Sequence, residues 1–161
     1  MSMNHNFIFK NEKTNEVIIK IAIEDSFLDF IDLEIGVENN MFSKILTINP
    51  FQAQKPYGKL LPTEKGFFYA GILLVNHNSL SDLMKMFSQW IDVLHTLDSD
   101  NYYYDLINLT DDKLIYLSQE ELKILQNRYF EKEILLSKLN DCLYYSQLLT
   151  SSDYILIHEG I

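Results

Sequence analysis

The chain has 161 residues, enough to bury one core and short for two domains. Its 47% hydrophobic and 13% aromatic content excludes wholesale disorder, and no apolar run is long enough to span a membrane. A net charge of −10, from 23 acids against 13 Lys and Arg, disfavours nucleic acid and anionic lipid as partners and favours a basic protein.

Residues 7–10 and 16–23 read as two strands around a polar turn at 11–15. From 30 to 38 the pattern alternates, with Ile31, Leu33, Ile35 and Val37 on one side and Asp32, Glu34 and Glu38 on the other. That period of two predicts a half-buried strand with an acidic outer face, although 26–32 also reads as a short helix. Asn39-Asn40 turns the chain and 41–48 is predicted as a fourth strand, so residues 1–48 are expected to form an antiparallel meander. Residues 49–66 hold all three prolines (Pro50, Pro56, Pro62), a long loop whose neighbourhood is basic: Lys44, Lys55, Lys59 and Lys65 face only Glu64.

Residues 67–97 form the organising stretch. The apolar run 67–75 predicts a buried central strand, and Asn76-His77-Asn78-Ser79 offers a turn and a helix N-cap. Leu80, Leu83, Phe87, Trp90, Leu94 and Leu97 then recur in steps of three and four, widened by Met84 and Ile91. Asp82, Lys85, Gln89, Asp92 and Thr96 lie opposite, as on an amphipathic helix. Residues 98–117 read as a β-hairpin turning at 110–112. Residues 118–149 read as helical, opened by a capping box from Ser118 to Glu121. Leu122, Leu125, Tyr129, Leu136, Leu139 and Leu143 fall near one face, with a break expected near Asn140-Asp141. Residues 154–158 read as a terminal strand at a sheet edge. The fold class implied is α+β: an antiparallel β-meander sheet packed by at least two amphipathic helices, in a single domain.

Little catalytic chemistry is legible. The five glycines are scattered and make no phosphate loop, and there is neither a nucleophile elbow nor a His-Glu-x-x-His pair. The acids from Asp98 onward fail as a calcium loop, because Tyr103 stands at the sixth position and Leu109 at the twelfth. Cys142 is alone, which excludes an internal disulfide and predicts a small core residue. His5, His77, His95 and His158 are far apart, with His95 near the polar border of its helix. No metal, cofactor or catalytic residue is assigned. The N-terminus lacks a secretion signal, so a cytoplasmic location is expected.

Charge distribution says more. Lys and Arg are absent between Lys20 and Lys44, where Glu24, Asp25, Asp29, Asp32, Glu34 and Glu38 lie, and again between Lys85 and Lys113, where Asp92, Asp98, Asp100, Asp105, Asp111 and Asp112 lie. Within the second gap, Asp98, Asp100, Tyr102, Tyr103, Tyr104 and Asp105 are the candidate partner-binding residues. Tyr supplies rigid contact area, and carboxylates beside it pair with Lys or Arg. The expectation is a small acidic protein-binding module without enzymatic activity. Its concrete form is an immunity- or antitoxin-type inhibitor that occludes a basic protein partner, such as a toxin nuclease or a nucleic-acid-binding protein. An enzyme or small-ligand binder built from scattered acids and histidines, and a structural domain that oligomerises or forms a homodimer, are the alternatives.

Overall fold

The computed structural model describes residues 3–67, 70–97, 101–103 and 129–161, with the backbone alone for 101–103 and Tyr129. The first hairpin forms as expected. β1 (Asn4–Asn11) and β2 (Glu16–Glu24) pair antiparallel around a turn in which Asn15 takes a φ of 65°. Asn11 Oδ1 organises that turn by accepting from the backbone N–H groups of Lys13 and Thr14.

The next stretch takes the helical alternative read at 26–32 and departs from the strand expected at 30–38. Residues 25–35 are a helix, α1 (Asp25–Ile35), and not a strand. Phe27, Leu28, Phe30 and Ile31 are its buried residues, a spacing of three and four, whereas Leu33 and Val37 are more than half exposed. The alternation from Ile31 to Val37 therefore does not describe one face. Burial of two phenylalanines on the helical stripe outweighs it. The predicted strand at 41–48 is also replaced. A 3-10 turn (Met41–Ser43) leads to a two-residue strand, β3 (Leu46–Thr47), which pairs with β4 (Glu64–Lys65) apart from the main sheet.

β5 (Ile72–Val75) leads through a 3-10 turn (His77–Ser79) into α2 (Leu80–His95). Asn76 caps the 3-10 turn by accepting from Asn78 N–H, and the expected Ser79 cap is absent because Ser79 Oγ donates to Leu46 O. Leu83, Phe87, Trp90 and Leu94 are buried as predicted, together with Met86. After β6 (Asn101–Tyr103) and β7 (Tyr129–Glu131), α3 (Lys132–Ser146) runs unbroken through Asn140 and Asp141, and a 3-10 turn (Gln147–Thr150) precedes β8 (Tyr154–Glu159). Residues 129–131 are thus strand where helix was expected, and β6 pairs with β7. The capping box at 118–121 and the hairpin partner at 113–117 lie outside the described residues.

The four-stranded sheet has the order β2-β1-β8-β5, every pair antiparallel. The α+β class holds, but the sheet is closed by the C-terminus. β8, expected at an edge, inserts between β1 and β5, and β5, expected in the centre, is the edge strand. The reason is side-chain content. Ile155, Leu156 and His158 are buried across both faces of β8, as in an interior strand, while β5 pairs with β8 alone in the sheet and carries one isolated bridge, Leu74 to Ile48.

α2 and α3 pack together against the inner face, where Phe7, Phe9, Phe27, Phe30, Phe87, Trp90 and Phe130 form the core. Edge-to-face contacts such as Phe7–Phe87 at 5.5 Å and Phe27–Phe130 at 5.4 Å suit the ring quadrupoles. Cys142 is fully buried there, and burial pushes its thiol pKa up, as befits an inert packing residue. The proline loop crosses the outer face, where Ala53, Tyr57 and Leu60 pack on Ile48, Leu74 and Ile155. Among the described residues no helix is long and apolar enough to cross a membrane.

Candidate functional site

Two arrangements bear on function: an acidic face centred on α1 and a buried histidine pair.

α1 enters directly from β2, and its inner stripe docks on the core through Phe27 and Phe30. Both touch Phe130 of β7, each with ring centroids 5.4 Å away. β7 in turn pairs with β6, placing Asn101 opposite Glu131, Tyr102 opposite Phe130 and Tyr103 opposite Tyr129. The two lysine-free stretches of the sequence therefore reach neighbouring elements, joined through Phe130. Of the candidate partner-binding residues, Tyr102 and Tyr103 lie in β6, beside β7 and one step from α1. Asp98, Asp100, Tyr104 and Asp105 lie outside the described residues.

Five of the acids on and flanking α1 divide into two groups. Glu24 is 3.5 Å from Lys138, Asp25 is bonded to His5, and Asp32 accepts from Asn40 Nδ2 at 2.7 Å; these hold the fold. Glu34 and Glu38 are exposed and form no ion pair among the described residues. Leu33 (52% exposed) is adjacent in sequence to Glu34 in the last turn of the helix, and Val37 (57%) to Glu38 in the turn that follows, so exposed apolar side chains alternate with carboxylates where the helix ends. Gly36, at a φ of 81°, ends the helix there, and its last turn carries no basic residue. A carboxylate at that end opposes the helix dipole. The fold does not require Glu34, and its position is unfavourable to the helix.

The histidine pair was not legible in the sequence. His5 of β1 and His158 of β8 are 153 positions apart, yet Nδ1 of His5 lies 3.0 Å from Nε2 of His158, and the rings stack at 5.2 Å. On its other side, His5 Nε2 is 3.0 Å from Asp25 Oδ1. With Asp25 accepting, His5 is protonated on Nε2, its Nδ1 accepts from His158 Nε2–H, and His158 Nδ1 is left as an acceptor. That atom has no hydrogen-bond partner among the described residues. Burial lowers the pKa of both imidazoles, against the pull of Asp25 on His5, and His158 is pushed down to about 3. Both rings are fully buried, and His158 is enclosed by Phe7, Phe42 and Phe67, with centroids at 5.2, 5.5 and 4.7 Å. A carboxylate–imidazole–imidazole chain with no hydroxyl or thiol at its end among the described residues, and with both rings buried, orients protons within the core. A hint lay in the period of two, which puts His5 on the face of Phe7 and Phe9; nothing local pointed to its partner.

His77 Nδ1–H donates to Gly58 O at 2.8 Å and so serves the loop, and His95 is exposed. Among the described residues, no three His, Cys, Asp or Glu side chains gather as a metal site would require. Comparison with protein-family models, with curated proteins and with solved structures finds no match for the chain.

Proposed function

We propose that the protein is a binding module that covers a basic surface of a protein partner, in the manner of an immunity or antitoxin-type inhibitor, and that the α1 face with the adjoining β6 ribbon makes the contact. The observation that carries this reading is the pairing of exposed Leu33 with Glu34 in the last turn of α1, and of exposed Val37 with Glu38 just past it, on an element that meets β7, the partner strand of β6. Apolar side chains give an interface its buried centre, and surrounding carboxylates steer a cationic partner and fix its register. Occlusion needs no catalytic group in the inhibitor, and the tight internal engagement of Asp25, His5 and His158 leaves that cluster to the fold.

The test is capture of a basic partner on immobilised protein, followed by surface plasmon resonance at rising salt. Association with wild-type protein should slow as ionic strength rises, because steering between exposed charges is screened over about 10 Å at moderate salt. The double variant Glu34→Lys with Glu38→Lys should melt no lower than wild type and lose the partner. Equal capture by the variant, or association indifferent to salt, would refute the reading.

A further inference from the structure

A second surface has the opposite character. Between the outer face of the sheet and the proline loop lies a cleft of about 360 Å³ whose floor is Ile72, Leu74, Ile155 and Ile157. Phe51 and Tyr57 wall it, and Lys10 and Lys55 stand at its rim. A neighbouring depression of about 490 Å³ shares Lys55 and Glu12 with it and adds Lys13, Lys59 and Asp153. The two volumes form one amphipathic trough, apolar at one end and lysine-lined at the other.

The charge balance of the trough follows from its hydrogen bonds. Glu12 is spent on the loop, Oε2 accepting from Tyr57 N–H at 2.8 Å and Oε1 from Gly58 N–H at 2.9 Å. Glu159 lies 4.0 Å from Lys20 and accepts from Asn6 Nδ2. Lys10, Lys13, Lys55 and Lys59 form no ion pair among the described residues. Four lysines against three carboxylates, Glu12, Asp153 and Glu159, therefore line the trough, a local excess of positive charge on a chain of net charge −10. A volume of this size takes a small molecule, and the isolated bridge from Ile48 already occupies the β5 edge at Leu74, which disfavours an added peptide strand.

We infer that this trough binds a free amphipathic organic anion, its apolar body on the Ile72, Leu74, Ile155 and Ile157 floor against Phe51 and its phosphate-type head between Lys55, Lys13 and Lys59. Lysines act on phosphate as mobile point charges, and Lys13, Lys55 and Lys59 outnumber Glu12 and Asp153 around the depression, with Glu12 held against the Tyr57 and Gly58 N–H groups. This site is independent of the α1 face, which lies on another part of the fold.

Calorimetric titration of the whole protein with decyl phosphate below its micelle threshold, with decanol and with inorganic phosphate tests the assignment. Decyl phosphate should bind at one site, at least about tenfold tighter than either fragment alone. Lys55→Gln with Lys59→Gln should cost decyl phosphate about tenfold or more and leave decanol unchanged. Phe51→Ala should weaken decyl phosphate and decanol alike, and Lys85→Gln on α2 should change neither. Phe51 is 81% exposed and both lysines are exposed, so these variants should fold with unchanged melting temperatures. The assignment fails if decanol matches decyl phosphate, if the lysine variant binds as wild type, if no heat is seen, or if the phosphate ester binds only as part of an anionic vesicle.

Discussion

Trp90 Nε1–H donates to Asn40 Oδ1 across 3.0 Å in the interior, joining the middle of α2 to the loop that follows α1. The same oxygen accepts from Phe42 N–H at 3.1 Å, and Asn40 Nδ2 donates to Asp32. One buried amide thus satisfies an indole, a backbone N–H and a carboxylate, and it fixes α1 against α2. Its removal strands two buried donors, each worth about 1–3 kcal/mol when left unpaired. Asn40→Ala should therefore cost about 2–4 kcal/mol in urea denaturation. In a double-mutant cycle with Trp90→Phe the two losses should be non-additive by about 1 kcal/mol. Strict additivity would show that the indole is satisfied in some other way.

Acid should unfold the protein through the His5–His158 pair. Both imidazoles lie below their ordinary value in the folded state, largely through burial, so the unfolded chain binds protons more readily. The stability they confer is complete above about pH 6.5 and declines as pH falls through the interval down to about 3, the folded value of His158. Within that interval His158 alone should contribute a slope of about 1.4 kcal/mol per pH unit. His158→Phe keeps an aromatic ring beside Phe67 and Phe42 but removes the titrating group and the donor to His5. It should lower stability at neutral pH and flatten the slope. An unchanged slope, from urea midpoints measured across the interval, would assign the acid response to other groups.

How far the sequence exposes this fold depends on the range of the contact. α2 was legible because Leu83, Phe87, Trp90 and Leu94 carry the helical period and meet one core. The β1–β2 hairpin was legible because its turn is local. α1 was only half legible: 26–32 also read as helix through Phe27, Leu28, Phe30 and Ile31, but Leu33, Ile35 and Val37 mimic alternation and suggested a strand over 30–38. The position of β8 follows from pairing between residues such as Phe7 and His158, and no local pattern encodes such a partner. Of the candidate site, the acidity of 24–38 was visible but its helical presentation was not. The basic character of the proline loop was visible without the apolar floor beneath it.

The turn at Tyr57–Lys59 should behave as a latch. Glu12 takes its N–H groups, while Asn76 Nδ2 donates to Tyr57 O and Leu60 O, at 2.9 and 2.7 Å, and His77 holds Gly58 O. A Cβ on Gly58 would run into the backbone carbonyl of Ser152, so Gly58→Ala must displace backbone and cannot be absorbed by a side-chain rotation. Glu12→Ala should cost about 1–3 kcal/mol through its two part-buried N–H partners. In both variants hydrogen exchange should accelerate at 57–60 while the amides of β1 and β8 stay protected. Loss of protection throughout the sheet would mean that the loop is part of the global folding unit and not a latch upon it.

Glu34 offers the sharpest separation of folding from binding. It lies in the last turn of α1, where the unpaired carbonyls carry partial negative charge and a carboxylate is repelled. Glu34→Lys should raise stability by about 0.3–1 kcal/mol at low ionic strength, and the gain should shrink in salt. A binding face built on negative charge predicts the reverse for function, since the same substitution should slow association with a cationic partner. A variant that melts higher yet captures less would mean that the carboxylate is kept for recognition at the expense of the helix. A variant that is more stable and binds equally well would remove the C-terminal end of α1 from the interface and, with it, the observation on which the proposed function rests.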